Sequence, residues 1–213
     1  MSVNAESSDW NQWLGHDRYV PRTDLTIDEQ RSIGRFFRVW CAVFGKPFLN
    51  KNNRLAVCLK LLSEAIPQAS FVVVRRSPLL VAQSLIKARQ QVQGDKSVGW
   101  GLLSHSSDLT TDPLAYVDDV CDQVLRIEAE LDEQLKTIPQ NRIIEVTYEG
   151  FCEAPDSILR LIESRVSGVR LKEDLIRSEL RPFAESATIT LSTREKERLL
   201  SRLLPANRKK VKD

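Results

Sequence analysis

The chain has 213 residues, of which 42% are hydrophobic and 28% are charged, a composition typical of a soluble globular protein. This length suits a single α/β domain, residues 1–213, with a sizeable core. The formal net charge of +2 gives no strong general field, so any affinity for anions must come from local clusters of cations. We therefore expect no nucleic-acid partner.

The cysteines indicate neither a zinc site nor a redox motif, because no two of them form a C-x-x-C pair. Three of the four lie in apolar helical patterns, where free thiols behave as small hydrophobic residues, and this favours a reducing compartment. The N-terminus lacks the basic start and apolar stretch of a signal peptide. No apolar run approaches the roughly 20 residues needed to span a membrane. We expect a cytoplasmic protein with no metal and no membrane partner.

The first predicted elements are a polar tail and a long helix. Residues 1–9 are polar and are predicted to be disordered. Thr26 and Glu29 have the spacing of a capping box, which predicts a helix from there to about Phe44. Gly45 is typical of the residue that ends such a helix. The positions predicted to face inward are Ile33, Phe36, Phe37, Trp40, Val43 and Phe44.

Two short apolar runs, each followed by a helical pattern, come next along the chain. Residues 47–50 are a candidate strand, and the apolar residues of 55–66 then recur at helical spacing. Residues 71–74 (FVVV) are short, β-branched and uncharged, as a strand buried on both faces should be. The order strand–helix–strand–helix predicts a parallel crossover unit, and so a helix-rich α/β fold with a parallel sheet flanked by helices.

Cations follow both candidate strands, at the edge of the sheet where such folds bind ligands. Lys51 comes after the first strand, and Arg75 and Arg76 come after the second. Ser77 then suits an N-cap, and Pro78 suits the first position of a helix that runs to about residue 89. A helix N-terminus beside two arginines predicts a phosphate site.

The second half of the chain begins with a long loop. Residues 92–111 lack any period, and two interpretations remain open: an acceptor-binding loop or lid that carries Trp100 and His105, or a plain surface excursion. A long helix is predicted from Asp112-Pro113 and stops before Pro139, and a third strand follows over 143–147. A further helix is predicted from Pro155. The last helix begins with the capping box Ser192–Glu195 and ends near Leu204, and a disordered basic tail is predicted over 206–213.

Several of these segments together resemble the sulfotransferases that use 3′-phosphoadenosine-5′-phosphosulfate (PAPS). Arg76-Ser77-Pro78, with Ser84 six residues after the proline, is similar to the 3′-phosphate-binding segment of that family. Lys51-Asn52 resembles the Lys-Asn step of its bacterial carbohydrate-type members, and Val146-Thr147-Tyr148-Glu149 resembles its later Tyr-Glu segment. The resemblance extends over most of the chain, roughly residues 10–204.

The resemblance implies transfer of a sulfuryl group from PAPS to a hydroxyl or amine acceptor, as on a carbohydrate, without a metal. It implies that Arg76 binds the 3′-phosphate as a bidentate fork and that Ser84 adds a hydroxyl donor to the same phosphate. Lys51 would assist electrostatically near the phosphosulfate, and Tyr148 would pack beside the nucleotide. Sulfuryl transfer needs positioning and cations more than covalent chemistry, and these residue types supply both.

Two features depart from the family pattern. Ser77 stands where the family has aspartate or asparagine, and it keeps the capping role. No glycine-rich turn with Lys/Arg-Ser/Thr, the family's 5′-phosphosulfate loop, occurs among the eight scattered glycines. The implied fold is a P-loop-type sulfotransferase fold that lacks its first strand, as in a truncated chain. We expect weak binding of the donor, poor transfer, and self-association through an exposed sheet edge.

Other interpretations of the same residues remain open. Arg75 and Arg76 could form a surface ion pair, Ser84 could be an ordinary helix residue, and Lys51 could be merely exposed. His16 or His105 could act as a general base, and the residues do not identify which group does. The whole chain could be a non-catalytic nucleotide-binding or interaction protein on a truncated sulfotransferase scaffold. A kinase-like phosphoryl transferase is disfavoured because the glycine-rich loop is absent.

Overall fold

The structure is a computed structural model that describes residues 8–15, 22–108, 111–184 and 188–207. These residues fall into two compact units. The described part of the first unit comprises 8–15, 22–75 and 131–184, and that of the second comprises 76–108, 111–130 and 188–207. The proposal of one domain over 1–213 remains a prediction.

Helices dominate both units. The α-helices are α1 (Ser8–Leu14), α2 (Ile27–Phe44), α3 (Leu59–Ala65), α4 (Pro78–Gln93), α5 (Ala115–Leu135), α6 (Tyr148–Glu153), α7 (Pro155–Arg165), α8 (Glu173–Glu179) and α9 (Thr193–Asn207). Two 3₁₀ turns, Asn53–Val57 and Gln140–Arg142, precede α3 and the second strand. The strands are β1 (Phe71–Arg75) and β2 (Ile143–Thr147).

The predicted tails overlap the first and last helices. Ser8 and Asp9 belong to α1, and α9 continues to Asn207, so the predicted tail boundaries are wrong at these residues. The rest of the predicted tails, 1–7 and 208–213, lies outside the described residues, as does His16.

The first unit contains a parallel two-stranded sheet. β1 and β2 pair from Phe71 with Ile143 to Arg75 with Thr147. The predicted α/β class, with helices around a parallel sheet, is confirmed. The strand predicted over 47–50 is wrong: these residues are irregular, because Phe48 packs against the rings of Phe37 and Trp40 instead of pairing.

β1 is buried on one face only, so the predicted burial on both faces is wrong. Phe71 and Val73 are buried, whereas Val72 is 39% exposed and Val74 is 55% exposed. In the described part of the chain β1 pairs with β2 alone, which makes it an edge strand. An uncharged β-branched run predicts a strand but does not reveal whether elements cover both of its faces.

The N-terminal half of the first unit packs around α2. Thr26 and Glu29 form the predicted capping box, and Gly45 ends the helix in the left-handed conformation. Gly34 allows a close approach to α3, since a Cβ there would lie 3.0 Å from the Ala65 carbonyl oxygen. The inward placement of Val43 and Phe44 is wrong, because these residues lie in the last turn and are 70% and 55% exposed.

Arg142, just before β2, joins the start of both strands. Its guanidinium donates hydrogen bonds to the carbonyl oxygens of Ser63, Ile66 and Ala69 at 3.2, 2.9 and 2.8 Å, and to the Ser63 hydroxyl at 3.0 Å. It also lies 5.5 Å from the centre of the Phe71 ring. Burial lowers the pKa of Arg142, and the four acceptors offset that cost.

The second unit has an apolar core between α4, α5 and α9. Its buried members are Ala82, Ile86, Tyr116, Val117, Val120, Cys121, Val124, Leu199 and Leu203. α4 begins at Pro78 as predicted, but the Ser77 side chain makes no capping hydrogen bond. α5 begins at Ala115 rather than at Asp112, whose carboxylate accepts from the N–H of Leu114 at 2.8 Å. The predicted Ser192–Glu195 capping box is confirmed.

Replacing Arg142 should destabilise the first unit. In Arg142→Leu the carbonyl oxygens of Ser63, Ile66 and Ala69 lose a charged donor, and we expect the free energy of unfolding to fall by about 2–3 kcal/mol. Urea unfolding followed by far-UV circular dichroism measures this. The matched control is Arg165→Leu at an exposed site, where the change should stay within about 0.5 kcal/mol. Equal losses in the two variants would contradict the role given to Arg142.

Candidate functional site

Arg75 is the first of the two cations at the end of β1, and it has a structural role in the first unit. Its guanidinium donates to Asp132 at 2.6 Å and to Glu145 at 3.1 Å. Glu145 lies on the neighbouring strand, so the pair ties β1 to β2 near the end of their ladder. The ion-pair interpretation therefore holds for Arg75, and the phosphate hypothesis rests on Arg76.

Arg76 is half-buried and lies at the entrance to α4, two residues before Pro78. The amides of Leu80 and Val81 both donate to the Ser77 carbonyl oxygen at 3.0 Å, which starts the helix. The positive end of the helix dipole and the Arg76 charge thus arise within one short segment of the second unit. This combination favours an anion, although Pro78 at N1 contributes no N–H.

Ser84 lies on the exposed side of α4, in the second unit with Arg76. Its hydroxyl donates to the Leu80 carbonyl oxygen, one turn earlier, at 2.9 Å. Serines in helices commonly make this bond, and the hydroxyl is then already used as a donor. Ser84 would have to change rotamer before it could donate to a phosphate.

Lys51 and Tyr148 both lie in the first unit. Lys51 is exposed and follows irregular backbone rather than a strand. The next residue, Asn52, caps the 3₁₀ turn by accepting from the Arg54 amide at 3.0 Å. Tyr148 is half-buried and opens α6 directly after β2, where the Thr147 hydroxyl accepts from the Gly150 amide at 3.0 Å. Tyr148 is thus at the carboxyl end of a strand, as predicted, and Lys51 is not.

The long loop after α4 is folded over the second unit. α4 runs to Gln93, beyond its predicted end, and Gly94 ends it in the left-handed conformation. Within the loop, the Ser107 amide donates to the Ser97 carbonyl oxygen at 2.8 Å. The buried Gln123 side chain of α5 donates to the carbonyl oxygens of Trp100 and Leu102 at 3.1 and 2.7 Å. The loop is therefore attached to α5 by its backbone.

A shallow surface cavity of about 470 Å³, widely open to solvent, lies against α5 and the loop. It has carboxylates, an imidazole, a guanidinium and two apolar side chains in its wall: His105, Asp119, Asp122, Leu125, Arg126 and Ala129. Sequence reasoning identified His105 alone among them. The acidic residues of α5 alternate with its apolar stripe, a pattern that also describes an ordinary solvated helix face.

A fully buried arginine supports the wall of this cavity. Arg89 of α4 has no exposed side-chain surface and forms an ion pair with Asp119 at 2.7 Å. It also donates to the Gln123 side chain at 3.1 Å. The sequence analysis used Arg89 only to mark the end of the predicted helix and did not predict its burial. The signal that could have revealed it is an arginine at a helix position whose spacing otherwise holds apolar residues. Because a buried charge needs its partner, Arg89 fixes Asp119 relative to α4.

Glu195, at the start of α9, holds the loop from the opposite side of the core. Its carboxylate accepts from Lys96 of the loop at 2.7 Å and from the Tyr116 hydroxyl at 2.6 Å, in addition to the capping contacts of Ser192. Burial alone would raise the pKa of Glu195, but the hydrogen bonds from Lys96, Ser192 and Tyr116 outweigh it and lower the pKa to about 2. Burial and the nearby carboxylate together raise the pKa of Tyr116.

Metal ligation and membrane spanning have no candidate residues in the part of the chain that the structure describes. Among residues 8–15, 22–108, 111–184 and 188–207, no three His, Cys, Asp or Glu side chains are grouped as metal ligands would be. In the same residues, no helix combines the length and the apolar composition needed to cross a membrane.

The fold and the strand end together define an α/β protein with a cationic segment at a helix N-terminus. Comparison with protein families gives this class a name: the model of the Sulfotransferase family matches residues 4–169. The chain therefore belongs to the sulfotransferase family, as the residue pattern predicted. Neither the curated proteins nor the solved structures contain a match to it.

The lowered pKa of Glu195 predicts an acid-sensitive second unit. A carboxylate with a depressed pKa contributes stability above its unfolded value, near 4.3, and this contribution is lost as the pH falls toward 2. Wild type should therefore exceed Glu195→Gln in unfolding free energy near pH 6, and the difference should shrink by up to about 3 kcal/mol on acidification. Urea unfolding at several pH values measures it. Glu197→Gln, at an exposed position of α9, should change neither value, and a constant difference for Glu195→Gln would contradict the assignment.

Proposed function

We propose that this protein binds PAPS and serves the transfer of its sulfuryl group to a hydroxyl or amine acceptor, of which carbohydrates are the leading class. The observation that carries the proposal is the segment from Arg76 to Ser84 at the start of α4. This segment resembles the family's 3′-phosphate segment, apart from Ser77, and the chain belongs to that family. No step of this chemistry requires a metal.

On the donor side, Arg76 has the main role. Its guanidinium can form two parallel hydrogen bonds to the 3′-phosphate, while the N-terminus of α4 adds a favourable dipole. Ser84 would leave its bond to Leu80 and donate to the same phosphate. Arg75 is bonded to Asp132 and Glu145 and is assigned to the sheet rather than to the phosphate.

Lys51 and Tyr148 have weaker support as donor contacts. Lys51 is exposed on irregular backbone and suits an electrostatic helper that reaches the phosphosulfate through its flexible side chain. Tyr148 is half-buried at the end of β2 and offers a ring face for the nucleotide. Both remain assignments by resemblance.

On the acceptor side, we propose that the cavity beside the 94–108 loop receives the sugar or amine. Its wall combines hydrogen-bonding groups with the apolar surfaces of Leu125 and Ala129, a mixture that suits a hydroxylated ring. His105 is exposed there and is the candidate general base for an acceptor hydroxyl. Arg89 and Glu195 would keep the cavity wall and the loop in place.

A second function is favoured by one feature of the sequence. The chain has no glycine-rich turn to surround the 5′-phosphosulfate with backbone amides, which in related chemistry hold the reacting end of the donor. A protein with the 3′-phosphate segment alone would bind the nucleotide and transfer nothing. The alternative function is therefore a non-catalytic nucleotide-binding or interaction protein.

Calorimetric titration with 3′-phosphoadenosine-5′-phosphate tests the nucleotide site. A charge-assisted contact is worth about 1.5–3 kcal/mol, so Arg76→Ala should bind roughly ten- to a hundredfold more weakly than wild type. Arg165→Ala, which removes an exposed arginine of α7, should bind as wild type does. Absence of binding by folded wild-type protein, or equal weakening in both variants, would overturn the donor site.

Turnover separates the two functions. With PAPS and a set of mono- and disaccharides, the proposed transferase should release 3′-phosphoadenosine-5′-phosphate slowly but above the uncatalysed rate, because the 5′ end of the donor lacks backbone donors. The non-catalytic alternative should give the uncatalysed rate alone. Chromatographic detection of the nucleotide product measures the rate. Robust turnover that Arg76→Ala abolishes would establish the transferase and show that another segment replaces the missing loop.

A further inference from the structure

We propose that the outer face of α2 and the turn after it bind the surface of a membrane that contains anionic lipids. We call this face the α2 surface, and it is defined by exposed cations and exposed apolar side chains: Arg31, Arg35, Arg38, Val39, Val43, Lys46 and Leu49. The inference does not rest on the proposed sulfotransferase activity, and it concerns the first unit alone.

The cations of the α2 surface form one stripe. Arg31, Arg35 and Arg38 are spaced by four and three residues, so they lie above one another on the side of α2 opposite the buried Ile33 and Phe37. Val39 and Val43, also four residues apart, lie beside this stripe and are 52% and 70% exposed. The helix therefore presents arginines and valines together to its surroundings.

The turn after α2 extends the apolar part of the surface. In this turn Lys46 is exposed and Leu49 is 90% exposed. A leucine with almost its whole side chain in water is unfavourable for an isolated protein, and an exposed leucine close to a lysine is typical of segments that enter a lipid interface. Membrane-surface helices combine the same residue types.

The segment of sequence that carries this surface contains few acidic residues. From residue 30 to residue 63 the sequence contains seven lysines and arginines and no aspartate or glutamate. In the first turn of α2, Glu29 is held by Arg22 at 2.8 Å, and Asp28 makes only a 3.4 Å contact with Arg31 in which both side chains are mostly exposed. The local charge is strongly positive even though the net charge of the chain is +2.

The positive charge of the α2 surface distinguishes between its possible binding partners. A second copy related by a two-fold axis would place the three arginines of one α2 surface against those of the other, and like charges repel. A polyanion such as nucleic acid would attract the arginines but would offer no apolar medium to Val43 and Leu49. An anionic lipid surface interacts favourably with both sets of residues, since its phosphates attract the cations and its acyl region accepts the apolar side chains.

Vesicle co-sedimentation of the full chain tests the proposal. Wild type should sediment with phosphatidylcholine vesicles that contain about 30% phosphatidylserine, and should not sediment with phosphatidylcholine alone. Binding should weaken at least tenfold in the triple variant Arg31→Gln, Arg35→Gln and Arg38→Gln. The matched control, Lys87→Gln, Arg165→Gln and Arg170→Gln, has the same change in net charge at exposed sites outside residues 30–63 and should bind as wild type does.

A second variant tests the apolar part of the surface. Val43→Ser with Leu49→Ser keeps every charge and removes exposed side chains only, so it should remain folded by circular dichroism and lose at least fivefold in vesicle affinity. Three outcomes would overturn the proposal. These are no binding of wild type to anionic vesicles, equal losses in the two triple variants, and self-association of wild type that the arginine triple variant abolishes.

Discussion

The Arg142 guanidinium is the group on which the sheet of the first unit depends. It accepts no hydrogen bond and has to donate, and its partners are carbonyl oxygens at the end of α3 and in the turn that leads into β1. Because Arg142 immediately precedes β2, these bonds place the first residues of the two strands side by side. The pairing of Phe71 with Ile143 then carries through to Arg75 with Thr147, so both strands end at the same level. The end of β1, which directly precedes Arg76 in the sequence, therefore has a position that the Arg142 contacts at the start of the strands determine.

Buried ionic groups also hold elements together in the second unit. Arg89 and Glu195 are inside or beside an apolar core, and each is paired with an opposite charge. One attaches α5 to α4, and the other attaches the 94–108 loop to α9. Removing one partner of such a pair is far more damaging than removing both, because a charge without a counter-ion remains in a poorly solvated place. A loop of this length keeps a defined path because two separate contacts, one ionic and one from Gln123, hold its backbone.

Local signals predicted most of the helices and both strands, β1 and β2, whereas the tertiary pairs could not be predicted. The capping boxes at Thr26 and Ser192, the proline at the start of α4 and the glycine after α2 depend on a few neighbouring residues, so their chemistry is visible in the sequence. The strand predicted at 47–50 failed because aromatic packing of Phe48 replaced pairing. The residue pattern located Arg76 and Ser84 but did not show that the Ser84 hydroxyl is bonded to its own helix. The pairing of Arg89 with Asp119 joins residues 30 positions apart, and no periodicity encodes such a partner.

The chain is nearly neutral although it contains two segments of high and opposite charge. Residues 30–63 have seven cations and no acid, whereas α5 has seven acids and one cation, so a charge of +7 and one of −6 almost cancel in the total. Exposed charges separated by more than a Debye length of about 8 Å interact little at physiological salt, and an approaching ligand senses the nearest segment rather than the sum. The low net charge argued against a general attraction to polyanions, and that argument stands. The low net charge does not limit the anions that the α2 surface or the Arg76 segment attracts, because the electrostatic attraction of each segment extends over a distance shorter than the molecule.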